Sequence, residues 1–369
     1  MKIAQVCPYD LSRPGGVKNH IFGLSDELEK LGHEVTIIAP NGMEQSSDSR
    51  VRLFGRNRSL KISGTKIDLN VALGEDRKNM KSFLHSQQFD IIHYHTFWNP
   101  LIPYQVWKQS RARNIVTFHD TPKQKWLGKT VMPVAASVIF RMMDRVISVS
   151  ASQASYIGGA DHPRIKIIPN GLEIAEYQLP SNKISEFDDG KFNLLFLGRL
   201  EPRKGVIYAL EAYKSLKKST SELRLIVAGE GQEKELVTSF IRDHKLEDVV
   251  VMGQVDEPTK ISLLKSADLY LAPAIFGESF GIVLLEAMAS GLPMVGFGNE
   301  GYLNIIPDKW ARFFPKPKNQ HAFTDAINTM ITQKTIRDDM ITWGLEAVKK
   351  YEWSFVAQEV EKIYLSALK

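Results

Sequence analysis

The sequence holds one cysteine, Cys7, in 369 residues. No intramolecular disulfide can form, and a reduced, cytoplasmic compartment is expected. No apolar run approaches the ~18 residues of a transmembrane helix, so any membrane contact is expected to be peripheral. The opening stretch MKIAQVCPYD is already a short apolar strand without a cleavage region, and no signal peptide is expected. There is no repeat of 20–50 residues and no low-complexity tract, which excludes a solenoid. A dinucleotide fingerprint is also missing: residues 14–16 are Pro-Gly-Gly and 229–231 are Gly-Glu-Gly, neither a G-x-G-x-x-G, so a nicotinamide cofactor is unsupported. No aromatic-studded sheet or recognition-helix motif is present, so nucleic acid is not an expected partner.

Acidic residues are scarce in one half only. Residues 1–170 carry 23 Lys/Arg against 14 Asp/Glu, a net of +9; the remainder carries 24 against 28, a net of −4. Arg52, Arg56, Arg58, Lys61 and Lys66 follow one another with no acid between them, and Lys123, Lys125 and Lys129 flank Trp126. Such patches suit either an anionic lipid surface or a merely solvated basic face.

What is present is ordinary globular material, 43% hydrophobic and 24% charged, in a length that fits two domains. Continuous apolar runs at 3–7, 35–39, 91–95, 115–118 and 146–149 read as buried parallel strands. Val17, Ile21, Leu24, Leu28 and Leu31 recur at steps of 4, 3, 4 and 3, one helical stripe that Gly32 ends. In the second half, strands are expected at 194–197, 223–228, 249–252, 269–272 and 294–297, with helices near 205–218, 232–244, 258–266 and 280–290. This β-α alternation predicts an α/β fold with a doubly wound parallel sheet in each half, and a polar linker near 180–189.

Ligands of open α/β sheets bind beyond the carboxyl ends of the strands, and the unusual residues collect there. Residues 14–16 stand between a strand and a helix, as a plain turn or as a close backbone approach to an anion at the helix N-terminus. His93, His95 and His119 sit at strand ends. No carboxylate or cysteine stands at ligand spacing beside them and a strand alternates its faces, so no metal is expected; His119 reads as a hydrogen-bonding group for a polar ligand. In 198–205 (GRLEPRKG), Arg199 and Lys204 are candidate cations for a diphosphate, whereas Arg203 reads as a solvated loop residue. In 276–287 (FGESFGIVLLEA), Glu278 precedes a helix and Glu286 lies within its apolar run. A carboxylate there needs partners, which ribose hydroxyls would supply unless the residue emerges on a polar face. Gly281 permits close approach, and the amides of residues 279–282 can bind a phosphate.

These segments together resemble glycosyltransferase family 4, retaining enzymes of the GT-B fold, by the Glu-x7-Glu spacing of Glu278 and Glu286, by 198–205, by 168–173 (IPNGLE) and by 14–16. The similarity extends to the phosphatidyl-inositol mannosyltransferases through 7–10 (CPYD), 14–20 (PGGVKNH), 117–119 (TFH) and 277–291 (GESFGIVLLEAMASG). It implies two Rossmann-like domains facing across a cleft: an acceptor domain at 1–175, onto which a last helix within 353–369 crosses back, and a donor domain at 190–352. It implies catalytic roles for His119, Arg199, Lys204 and Glu278. The donor would be bound by Gly16, Arg199, Lys204, Glu278, Phe280, Gly281, Ile282 and Glu286, and the acceptor by Tyr9, Asp10, Lys18 and Lys123. The donor expected is a nucleotide-diphosphate sugar, GDP-mannose ranking before a UDP-sugar, with no metal strictly required. The acceptor expected is a lipid or glycan hydroxyl, such as a phosphatidylinositol-like lipid at the inner face of the cell membrane. The relatives have Gln at Lys18 and Thr at Asp120, and their inositol-contacting loop does not align with 54–60, so the departures fall on the acceptor side. A sugar-nucleotide 2-epimerase of the same architecture and a non-catalytic nucleotide-sugar-binding protein are the competing readings.

Overall fold

A strand that is apolar along its whole length must be covered on both faces, and each half of the chain supplies helices to do so. The computed structural model describes the backbone of all residues except 13–14, 43–46, 63–64, 98–100, 120–124 and 181–182, and of the remainder every side chain except those of 56–62, 65–69 and 125–131. Its contacts divide the chain into two units, Met1–Gly171 with Trp353–Lys369, and Leu172–Glu352.

The first unit runs β1 (Lys2–Val6), α1 (Gly16–Lys30), β2 (Glu34–Asn41), β3 (Val51–Ile62), β4 (Thr65–Val71), α2 (Gly74–Gln87), β5 (Ile91–His95), α3 (Leu101–Gln109), β6 (Arg113–Phe118), α4 (Lys125–Met142), β7 (Arg145–Ser148), α5 (Ala151–Ala154) and β8 (Ile165–Ile167). Among the described residues these strands form an eight-stranded sheet in the order β4-β3-β2-β1-β5-β6-β7-β8. The pairs are parallel except β3 with β4, which is antiparallel. The five strands expected here are present. The β3–β4 hairpin and the three-residue β8 were not expected: 51–62 is interrupted by Arg52, Arg56, Arg58 and Lys61 and does not read as an apolar run.

The second unit runs α6 (Ile174–Gln178), β9 (Phe192–Leu197), α7 (Val206–Leu216), β10 (Leu223–Ala228), α8 (Lys234–Asp243), β11 (Val249–Gly253), α9 (Glu257–Ser266), β12 (Leu269–Ala272), α10 (Ile282–Ala289), β13 (Met294–Gly296), α11 (Gln320–Thr332) and α12 (Lys334–Ala347). Its five parallel strands are ordered β11-β10-β9-β12-β13. The final helix, α13 (Trp353–Leu368), belongs to the first unit.

Pleating sorts the first sheet's side chains by parity. Ala4, Val6, Ile92, Tyr94, Val116 and Phe118 enter one apolar cluster. Ile3, Ile91, Ile115 and Ile147 enter another, which Leu24 and Leu28 of α1 and Val356, Ala357, Val360 and Tyr364 of α13 close from above. Gln5, His93, His95 and Thr117 share the parity of that second face and are also buried. The α1–α13 layer therefore covers a polar patch at the carboxyl ends of β1, β5 and β6.

Candidate active site

In the second unit, β9 and β12 are neighbours, but the chain continues from β9 towards β10 and from β12 towards β13, on opposite sides. This is the switch point of a doubly wound sheet, where a crevice opens beyond the strand ends. A small pocket lies there, lined among others by Leu197, Lys204, Pro273, Val283 and Tyr302.

Two loops meet at this point. Gly205 has φ +71°, and a Cβ on it would stand 2.2 Å from the Pro273 carbonyl oxygen, so only glycine lets the loops touch. The Ile275 amide donates to the Arg203 carbonyl (2.8 Å) and ties them. Lys204 Nζ consequently lies 2.8 Å from Glu278 Oε1, and Arg203 Nη1 lies 2.9 Å from the same oxygen. Arg203 also pairs through Nε with Glu201 (2.8 Å). The expectation that Arg203 is merely solvated is therefore corrected: its side chain is only 16% exposed because two carboxylates from two loops converge on it. Arg199, by contrast, is 66% exposed and pairs with Glu201 (2.7 Å).

Gly281 caps α10 with φ +110° and no side-chain capping bond. A Cβ there would meet the Tyr302 ring at 2.7 Å, which is why the chain can turn into the helix so close to Glu278. Free amides at the start of α10, beginning at the half-buried Ile282, form an electropositive terminus. Phe280 is buried against Tyr351, ring centroids 5.6 Å apart.

Glu286, about one turn into α10, is buried and does not emerge on a polar face. Its Oε1 accepts from Lys260 Nζ (2.7 Å) and from the Tyr177 hydroxyl (3.2 Å). Burial alone would lower the Lys260 ammonium, but Glu286, Tyr177 and Glu257 raise it above the ordinary lysine range, so Lys260 stays charged. Neither Lys260 nor Tyr177 was expected. The legible signal was Lys260 in step with Leu263 and Leu264, a cation on the buried stripe of α9.

In the first unit, α1 begins without a side-chain cap, and the Gly16 amide has no partner among the described residues. Asp10 is buried: its Oδ1 accepts from the amide (2.9 Å) and hydroxyl (2.8 Å) of Ser12, while Oδ2 has no partner among the described residues. Tyr9 and Lys18 are half-buried on either side of this turn. Lys123 lies outside the described residues, as do the side chains of Arg56, Arg58, Lys61, Lys66, Lys125, Trp126 and Lys129.

His119 follows β6 and its Nε2 lies 3.1 Å from His95 Nδ1. His93 and His95, two residues apart, share a face of β5, with ring centroids 4.4 Å apart; the alternation expected to separate them brings them together. His20 of α1 packs edge-on against His119 (4.5 Å) and Trp353 (5.1 Å), and both its nitrogens lack a hydrogen bond among the described residues. Nitrogens of His20, His95 and His119 all lie within 4.8 Å of one another, a spacing that could hold a metal ion. Both nitrogens of His95 are, however, already engaged by His119 and by Gln5. Burial holds His93, His95 and His119 well below the usual histidine range and lowers His20 to about 4, so all four are neutral at pH 7.

Two parallel-sheet α/β units, each with its polar groups at the switch-point end, define the GT-B class of glycosyltransferases. Residues 14–176 match Glycosyltransferase Family 4, and residues 180–346 match Glycosyl transferases group 1. The chain belongs to the glycosyltransferases that combine these two domains. It is 27% identical over 365 residues to the phosphatidyl-myo-inositol mannosyltransferase of Mycobacterium leprae (strain TN), covering 99% of this chain and 96% of that one. It is 29% identical to the enzyme of that name from Propionibacterium freudenreichii subsp. shermanii, covering 100% and 95%. The crystal structure of Anabaena HepE in complex with UDP and glucose shares the fold, with a TM-score of 0.78 at 19% identity over 99% of this chain and 100% of that one. Among the described residues no helix is long and apolar enough to cross a membrane.

Proposed function

We propose that this glycosyltransferase moves a hexose, mannose ranking first, from a nucleotide-diphosphate sugar to a hydroxyl of a lipid-linked or glycan acceptor, with retention at the anomeric carbon. The observation that carries the reading is the convergence of Lys204 and Glu278 (2.8 Å) beside the uncapped start of α10. Cleaving the anomeric C–O bond leaves negative charge on the diphosphate. Fixed cations and helix amides at that point stabilise the transition state more than the ground state.

Lys204 and Arg199 hold the diphosphate in this reading, and Lys204 exchanges its Glu278 partner for phosphate oxygen. Arg203 keeps Glu278 aimed at the transferred sugar's hydroxyls. Glu286, with Oε1 fixed by Lys260 and Tyr177, offers Oε2 to the ribose. The amides of Gly281 and Ile282, beside Phe280, take phosphate oxygen. The first unit contributes the Gly16 amide to the diphosphate and His119 to the sugar's 6-hydroxyl region, and Tyr9, Asp10, Lys18 and Lys123 serve the acceptor. The unpartnered Asp10 Oδ2 is a ready acceptor for a ligand hydroxyl. Similarity along the whole chain to phosphatidyl-myo-inositol mannosyltransferases favours GDP-mannose, a phosphatidylinositol-like acceptor and peripheral action at the inner face of the membrane.

A screen of GDP-mannose, UDP-glucose and UDP-N-acetylglucosamine, with and without phosphatidylinositol in vesicles, tests this. Mannosyl lipid from GDP-mannose is the expected product. Product from a donor with no acceptor present would indicate epimerisation and refute transfer.

A further inference from the structure

Three loops of the second unit carry Lys204, Glu278 and the ledge beneath α10, and one buried side chain ties all three. After β13 the chain passes Asn299, which is buried. Its Oδ1 accepts from the amides of Gly301 (3.1 Å) and Tyr302 (3.0 Å), and its Nδ2 donates to the Ala274 carbonyl (2.9 Å). The partners fix the sense of this amide. Reversed, it would set NH2 against two N–H groups and oxygen against a carbonyl oxygen.

Each bond leads to a residue of the site. On one side, the Ala274 carbonyl and the Ile275 amide are the two ends of one planar peptide group. Asn299 holds its oxygen, and the Arg203 carbonyl holds its hydrogen at 2.8 Å. That group joins Asn299 to the loop carrying Lys204 and leads into the loop carrying Glu278. On the other side, Gly301 and Tyr302 seat Glu278 and the start of α10. Gly301 has an ordinary φ of −71°, so space alone excludes a side chain there: a Cβ would stand 2.3 Å from the Glu278 carbonyl oxygen. The Tyr302 ring packs against Gly281 so closely that a Cβ on that glycine would meet it at 2.7 Å.

We infer that Asn299 is a positioning residue for sugar transfer: it fixes Glu278 and the amides of Gly281 and Ile282 relative to Lys204, so that carboxylate, ammonium and helix amides address one diphosphate-linked sugar. Its effect on rate rests on the donor reading proposed above. Its effect on the loops does not. Asn299 itself meets no substrate in this scheme. Its removal strands two buried amides and a carbonyl and frees the three loops to drift apart.

The test uses the full chain and two variants. Asn299→Asp keeps an oxygen for both amides but turns a second acceptor towards the Ala274 carbonyl, so it cuts the tie and spares the turn. Asn299→Ala removes both. Hydrogen–deuterium exchange without ligand, read by mass spectrometry on peptides spanning 278–283 and 300–303, reports the loops directly. Exchange at 278–283 should quicken at least about tenfold in both variants, while Asn299→Asp keeps 300–303 as protected as in the wild type. With whichever of GDP-mannose, UDP-glucose and UDP-N-acetylglucosamine the wild type turns over, kcat should fall at least about thirtyfold in both variants. Calorimetry with the matching nucleoside diphosphate should still titrate to the wild-type stoichiometry, because Lys260 and Tyr177 hold Glu286 separately. A variant that had merely unfolded in part would lose stoichiometry together with rate. If Asn299→Ala does not fold, Asn299→Asp carries the test. Unchanged exchange at 278–283 overturns the inference whatever the activity, and quicker exchange with kcat within about threefold of wild type overturns the role in transfer. A wild type that turns over none of the three donors would instead remove the proposed function, and the exchange comparison would still decide whether Asn299 ties the loops.

Discussion

Removing the Lys204 ammonium separates the chemistry of the switch point from its stability. In Lys204→Ala the Glu278 carboxylate is not stranded, because Arg203 Nη1 still holds it at 2.9 Å. The folded state loses one partly buried pair, worth about 1 kcal/mol. That predicts a fall in melting temperature of about 2–4 °C for a unit of this size. The transition state loses more. If Lys204 neutralises the departing diphosphate, deleting a preorganised cation raises the barrier by about 3–4 kcal/mol, a hundred- to thousandfold in kcat. Arg203→Ala should show the reverse balance. Arg203 joins Glu201 to Glu278, so its loss removes two ion pairs and the tie between the loops, leaving Glu278 to Lys204 and Glu201 to the exposed Arg199, and costs more in stability and less in rate than Lys204→Ala. Donor turnover in single-turnover mode, beside a thermal melt of each variant, reads both quantities. A Lys204→Ala enzyme within tenfold of wild-type kcat, melting normally, would refute the leaving-group role.

Lys260→Met strips the buried Glu286 of its ammonium partner; breaking such a pair costs about 3–5 kcal/mol, so melting should fall by roughly 6–20 °C and donor affinity by calorimetry should drop, and an unchanged melt would deny the pair its structural role. Acid should weaken the first unit early. His20 and its three neighbours have folded-state values below the unfolded 6.5, so the unfolded chain binds more protons as pH falls from 6.5 towards 4, and stability present above that window is lost within it. For His20 alone, lowered to about 4, the loss is on the order of 3 kcal/mol, and His20→Phe should flatten the slope of melting temperature against pH; an equal slope would contradict the assignment. Gly205→Ala forces a Cβ to within 2.2 Å of the Pro273 carbonyl, so the two loops should part and donor turnover fall by at least about tenfold; a fully active variant would show that loop contact is dispensable.

The α/β architecture, the second unit's five strands and its helices α7 to α10 were legible because they rest on local signals: continuous apolar runs for strands covered on both faces, and a 3.6-residue stripe for α1. The catalytic class was legible in short motifs whose residues sit within a few positions of one another, as Lys204 does in 198–205 and Glu278 in 276–287. The hairpin β3–β4 escaped because its polar residues break the apolar run that marks a buried strand.

Only the tertiary structure decided which charges neutralise which. Arg203 was read as solvated because its carboxylate partners are set by the meeting of two loops 75 positions apart. Glu286 needed a partner on energetic grounds, but that Lys260 and Tyr177 supply it depends on α6, α9 and α10 packing together. Histidines 93, 95 and 119 were visible as a strand-end group. Their hydrogen-bond partners are a glutamine on β1 and a tyrosine at position 364, residues that chain connectivity leaves far apart and that only burial under one helical layer forces to satisfy one another.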